Sequence, residues 1–238
     1  MRENISIPER LKIISAYLFN GTTFADIGSD HALLPAYVCL NDPKAKAIAG
    51  EVNKGPYRSA TQTVERYNLS DVIDVRLGDG LDILREGEIQ ELVIAGMGGT
   101  LLTSILEKGK GKIDSVDRII VQPNVNEKIV RQWLNLNGFK ITDETIIKEH
   151  GHIYEIIVGN RVHNRTEIDK LSKDEQERQF MFGPLLLKNK STIFYEKWME
   201  EKRKLTKVIR QMNQAKVKDE SKLKQFEKEF KWIEEVLE

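Results

Sequence analysis

Four short segments carry side chains that could do chemistry together. Phe24-Ala25-Asp26-Ile27-Gly28-Ser29-Asp30-His31-Ala32 sets two carboxylates around one glycine at the end of an apolar run. Glu51 follows Gly28 by 23 residues, just after a second apolar stretch. Gly78-Asp79-Gly80 ends a third, and Gly96-Met97-Gly98-Gly99 ends a fourth. A dinucleotide site would want G-x-G-x-x-G, because two close backbone approaches seat a pyrophosphate. Here a single glycine stands between Asp26 and Asp30, and two carboxylates repel a pyrophosphate. A cationic or zwitterionic ligand fits better.

S-adenosylmethionine has an ammonium, a sulfonium, an adenosine and no phosphate. Asp26 and Asp30 can meet or orient its amino-acid end, and N–H groups at the next helix start can take its carboxylate. Glu51 can accept both hydrogen bonds of a ribose diol. Asp79 can accept from the adenine amine. The glycines at 96, 98 and 99 let backbone approach the ligand, with Met97 as a soft wall. Each segment also has a plainer reading: Asp30 as a helix N-cap, Glu51 as an exposed loop residue, Asp79-Gly80 as a turn, and residues 96–99 as a flexible turn. Their order at consecutive strand ends favours one shared site.

Other chemistries are absent. Gly109-Lys110-Gly111-Lys112 lacks the P-loop frame, and no G-x-S-x-G elbow occurs. The four histidines (His31, His150, His152, His163) form no H-E-x-x-H, so no metal is expected. Cys39, the only cysteine, lies in an apolar stretch and reads as core; it excludes a disulfide framework and argues against a cysteine adduct.

The elements that must position these residues follow from periodicity. The chain has 238 residues, 40% hydrophobic and 31% charged, enough for a packed core. Residues 1–20 read as a helix, with Ser6 as cap and Pro8 in the first turn. Strands are expected at 23–27, 45–49, 72–77, 91–95 and 118–121, alternating with helices at 32–40, 56–67, 101–108 and 126–137; 140–147 and 153–159 read as a hairpin. The pattern predicts an α/β fold, a parallel sheet with helices on both faces. Right-handed crossovers put its strand ends at one edge, where ligands bind.

After Gly159 strand signals stop. Ser172-x-x-Glu175 is a capping box, Gly183-Pro184 a break. Phe194, Trp198, Leu205, Val208 and Met212, then Leu223, Phe226, Phe230, Ile233 and Leu237, keep heptad-like steps on either side of a turn at 217–221. A C-terminal helical antiparallel coiled-coil domain is expected, its first helix spanning 192–216. The domains are drawn as 1–162 and 163–238. Lys and Arg match Asp and Glu at 37 each, but from Arg161 onward 19 basic residues face 15 acidic ones, which hints at a polyanion-facing end. No apolar run approaches the roughly 20 residues of a membrane span, and the N-terminus has no secretory core. A cytoplasmic protein, off the membrane, is expected.

These residues resemble the class I S-adenosylmethionine-dependent methyltransferases, and within them the bacterial tRNA (adenine-22-N1)-methyltransferase family. The resemblance covers nearly the whole chain: Glu9-Arg10-Leu11, Asp26 to His31, Gly96-Met97-Gly98-Gly99, Gln122-Pro123-Asn124, Tyr154-Glu155, and Phe182-Gly183-Pro184 before the coiled coil. It implies a Rossmann-like seven-stranded methyltransferase sheet with helices on both faces, a coiled-coil domain for tRNA recognition, and methylation of N1 of adenosine 22, with S-adenosylhomocysteine as product. The cofactor set on this reading is Asp26, Gly28, Ser29, Asp30, His31, Glu51, Val52, Asp79, Gly80, Gly96, Met97 and Gly98. The chain lacks the [DN]-P-P-[YF] element of exocyclic-amine methyltransferases, which suits a ring nitrogen. Asp30, Asn124 and Tyr154 are the catalytic candidates: Asp30 to stabilise charge or take a proton, Asn124 to hold the base edge, Tyr154 to stack on it. Arg10, Lys12, Lys54, Lys202 and Arg203 are the candidate RNA contacts, the helix lysines reading equally as a solvated exterior. Monomer and weak dimer both fit. Two rival readings stand beside this one, a small-molecule methyltransferase with a dimerising coiled coil and a non-catalytic binding scaffold.

Overall fold

The computed structural model describes residues 5–162, 166–215, 217 and 219–238. Five parallel strands form from the apolar runs: β1 (Thr23–Ile27), β2 (Lys46–Glu51), β3 (Ile73–Leu77), β4 (Glu91–Met97) and β5 (Arg118–Pro123). The hairpin of β6 (Phe139–Glu149) and β7 (His152–Arg161) completes one sheet in the order β3-β2-β1-β4-β5-β7-β6. Only β7 is antiparallel to its neighbours on both sides. The central strands are apolar on both faces because helices cover both. Phe24, Val93, Ile120 and Ile156 pack under α1 (Glu9–Tyr17), α2 (Leu33–Asn41) and α3 (Lys54–Arg66). Ile27, Ile94, Val121 and Ile157 pack under α4 (Gly99–Lys108) and α5 (Glu127–Leu136).

Most expected elements form within a residue or two of their expected ends. The first helix is shorter than residues 1–20: it starts after Pro8, which is the N-cap, Ser6 does not cap it, and Leu18 is already extended. Residues 1–4 of that expected helix lie outside the described residues, as do His163, Lys216 and Lys218. The expected turn at 217–221 is cut short because Asp219 caps α8 (Glu220–Leu237), its carboxylate accepting from Lys222 N–H at 3.0 Å.

The chain divides into two compact units between Leu185 and Leu186 rather than between 162 and 163. The reason is α6 (Lys173–Phe182). Ser172 caps it, accepting from Glu175 N–H, and α6 packs on α5, where Gln132 donates to Glu177. Residues 166–185 therefore belong with the sheet.

The second unit holds α7 (Thr192–Gln214), about 35 Å long at 1.5 Å per residue, and α8. The two run antiparallel. Lys190 Nζ donates to the Val236 carbonyl at one end, Lys202 pairs with Glu234, and Val208, Met212 and Phe226 line one cleft at the other.

Candidate functional site

The sheet's C-terminal edge gathers the segments that the sequence singles out. β1 ends in Gly28, whose φ of +71° lets the chain turn back on β2, so that Gly28 and Ser29 N–H groups donate to the Gly50 carbonyl at 2.9 and 3.2 Å. Asp30, His31 and Ala32 then take left-handed φ values of 40°, 69° and 53°. Three such residues in succession store strain, which is concentrated at functional sites in folded proteins. Ala32 is the N-cap of α2 and brings no side chain to cap it, so the N-cap reading of Asp30 is not what forms.

Asp26 is buried, and Ser29 Oγ–H donates to it at 2.6 Å. Burial pushes its carboxyl up to about 7, the Ser29 hydroxyl opposes this, and the charge of Glu51 adds to it. Glu51, also buried, accepts the Asp30 N–H; burial raises its pKa and that hydrogen bond lowers it. The Asp30 side chain is four-fifths exposed, with His31 Nε2 at 3.4 Å from Oδ1. Val52 stands exposed beyond β2. Asp79, after β3, is exposed and accepts from Lys108 Nζ of α4 at 2.9 Å, an ion pair shared with Asp82. Gly80 follows with φ +54° against Ile105.

β4 carries a bulge. Ala95 pairs with Gln122 and Met97 with Pro123, so Gly96 is the extra residue, at φ +76°. Its carbonyl accepts from Asn124 Nδ2 at 2.8 Å, and Asn124 N–H donates to the Met97 carbonyl at 2.8 Å. A side-chain carbon on Gly28 would lie 2.2 Å from Met97 Cε, so Met97 lies across the glycine turn. Gly98 has Val125 beside it, and Gly99 admits the backbone of Val125 and Asn126 where a methyl group would not fit.

Tyr154 reaches the same edge. The β5–β7 ladder ends at the Val121–Ile157 pair, and Asn124 and Tyr154 each lie three residues beyond it. Arg10 holds its guanidinium 5.3 Å from the Tyr154 ring centre and pairs with Glu149 at 2.8 Å. Lys12 pairs with Glu9; Lys54 opens α3 and is exposed. In the second unit Lys202 pairs with Glu234 and lies over Phe230, and Arg203 is exposed. Among the described residues no group of three or more His, Cys, Asp or Glu side chains is arranged to hold a metal, and no helix is long and apolar enough to cross a membrane.

Sequence reasoning gave no role to two side chains here. Gln122 is fully buried behind Asn124, to which its Nε2 donates at 3.0 Å. Its signal was a lone amide closing the run Ile119-Ile120-Val121. Lys108, the partner of Asp79, had no local signal at all.

A parallel sheet closed by an antiparallel hairpin, with carboxylates at three successive strand ends, defines the class I S-adenosylmethionine-dependent methyltransferase fold. The donor set fits that ligand: the carboxylates of Asp26, Asp30 and Glu51 gather at the strand ends, and Gly96 has open space where a side chain would stand. The chain belongs to the family described as tRNA (adenine(22)-N(1))-methyltransferase, whose model matches residues 24–235. It is 37% identical to the tRNA (adenine(22)-N(1))-methyltransferase of Bacillus subtilis over 235 residues, 98% of each chain. The crystal structure of the Bacillus subtilis m1A22 tRNA methyltransferase superposes with a TM-score of 0.90 at 38% identity, covering 98% of this chain and 100% of that one. A Streptococcus pneumoniae relative solved in complex with S-adenosyl-L-methionine gives 0.84 at 36% identity, with 98% and 100% covered.

Proposed function

We propose that this protein methylates N1 of adenosine 22 in tRNA, on the D-arm side, taking the methyl group from S-adenosylmethionine and releasing S-adenosylhomocysteine. The observation that carries the reading is a family match along nearly the whole chain. The strand-end carboxylates and glycines on one sheet edge support it.

Bound at that edge, S-adenosylmethionine supplies a methyl group activated on a sulfonium. Asp26 and Asp30 would orient its amino-acid end, Glu51 its ribose and Asp79 its adenine, with Gly28, Ser29, His31, Val52, Gly80, Gly96, Met97 and Gly98 around them. The rest is positioning. Adenine N1 has its own lone pair, and near-attack geometry is worth roughly 7–11 kcal/mol. A base in a helical region must leave the stack to be reached. Asn124 would hold its edge and Tyr154 would stack on it. Methylation leaves the ring cationic, and Asp30 would stabilise that charge or accept a proton from the exocyclic amine. Arg10, Lys12, Lys54, Lys202 and Arg203 would grip phosphates, the C-terminal helices serving as the tRNA-recognition domain. A tRNA substrate implies a cytoplasmic enzyme; a monomer or weak dimer suffices, because the antiparallel helices satisfy each other's seam.

The test is to incubate unmodified tRNA with methyl-labelled S-adenosylmethionine and map the labelled nucleoside. One 1-methyladenosine at position 22 is expected. Label at another position or in another nucleoside overturns the reading.

A further inference from the structure

We infer that Gln122 is a positioning residue that fixes which way the Asn124 amide faces, and so keeps adenine N1 free to react. The inference rests on the reading of the reaction just given.

Hydrogen-bond logic settles the amide. The Gly96 carbonyl can only accept, so the Asn124 group 2.8 Å from it must be Nδ2. Oδ1 then faces Gln122, which must donate, and Gln122 Nε2 does so at 3.0 Å. Each member leaves the next one no choice. The cost falls on Gln122. Its side chain is fully buried, and its Oε1 has no hydrogen-bond partner among the described residues. A buried acceptor left unmatched stabilises nothing. An apolar side chain would suit that strand position better for folding, as Ile119, Ile120 and Val121 show just before it.

The chemistry gives the amide its use. An adenine edge offers a donor at the exocyclic amine beside an acceptor at N1. Asn124 in the fixed orientation keeps a free lone pair on Oδ1, and an N–H of the exocyclic amine can donate to it. Turned over, Asn124 would offer N–H groups to that edge. One of them would occupy the N1 lone pair that must attack the methyl carbon.

The test uses the full chain and unmodified tRNA. Gln122→Met removes both the donor and the unmatched acceptor. It is expected to melt at or above the wild-type temperature and to bind S-adenosylmethionine within about twofold. Its kcat should fall by roughly tenfold or more, with KM for tRNA changed much less. In an Asn124→Ala background the same substitution should add no further loss. Gln122→Glu keeps the shape and supplies a second readout. Protonated, its O–H can donate to Asn124 Oδ1; ionised, it cannot. Its kcat relative to wild type should therefore rise as pH is lowered, which a merely structural role would not produce. Gln122→Met with kcat within about twofold of wild type, losses that multiply in the double variant, or a Gln122→Glu pH profile parallel to wild type would each overturn the inference. A wild type that binds cofactor but leaves tRNA unmethylated would instead overturn the reading beneath it.

Discussion

Asp26 shows what the first strand end costs. In the unfolded chain its carboxyl titrates at 3.8, and in the fold burial lifts it to about 7. Between those values the folded state keeps a proton that the unfolded state has released. The contribution of Asp26 to stability is therefore greatest below the unfolded value, falls as pH rises through the window, and levels off above 7. Asp26→Asn should flatten that fall and raise stability at pH 8, seen as a higher urea midpoint; a variant with the wild-type slope would remove Asp26 as its source. This residue was legible in the sequence, because a carboxylate before a lone glycine at a strand end has few structural uses. The left-handed turn at Asp30, His31 and Ala32 was not legible, since none of the three is a glycine. Their conformation is imposed by the lacing of Gly28, Ser29 and Asp30 onto β2. Gly183 reads in the sequence as a helix break, but a second reason for it is visible only in three dimensions. At φ +88°, a side-chain carbon there would lie 2.7 Å from Arg131 Nη2 and 2.8 Å from Glu144 Oε1. Gly183→Ala should destabilise the protein by about 2–4 kcal/mol in denaturant unfolding.

Among the elements, the join between α5, the β6–β7 hairpin and the segment after α6 is made by charge. Arg131 is fully buried on α5 and donates to Glu144 of β6, Glu155 of β7 and the Phe180 carbonyl. Glu144 also accepts from Leu185 N–H at 2.7 Å. Removing one member of such a cluster leaves uncompensated charge in the core, so Arg131→Met should cost about 3–5 kcal/mol. Urea unfolding would test it; a cost under about 1 kcal/mol, as for an exposed pair, would argue against a buried charge cluster. Helix and strand types were readable here from periodicity, and Ser172 and Glu175 gave the start of α6. The pairing was not. A polar position on a helix reads as solvent-facing, and the two glutamates that draw Arg131 inward lie 13 and 24 residues away, on β6 and β7. The boundary at 162 failed for the same reason. Loss of strand signal marks the end of the sheet, while the packing that decides a domain continues through Leu185.

For the whole molecule, the two units suggest where to cut. Residues 1–185 keep every partner of Arg131 named above, whereas a chain ending at Val162 loses Phe180 and Leu185. The longer fragment should bind S-adenosylmethionine within a few-fold of the full chain yet fail to methylate tRNA; the shorter should melt well below it. Calorimetry with the methylation assay checks both, and tRNA turnover by residues 1–185 would remove the helical unit from recognition. Arg131 also bears on how the chain is made. Its guanidinium leaves the ribosome before either glutamate, and the last backbone groups that close around the cluster emerge after another fifty residues of synthesis. Glu144 and Glu155 supply the counter-charge earlier, but until then the cluster lacks the Phe180 carbonyl and the Leu185 N–H that complete it. Folding of the methyltransferase body is thereby tied to completion of residues beyond its last strand, and a stalled or truncated product is left open to chaperones and proteases rather than released as a half-built enzyme.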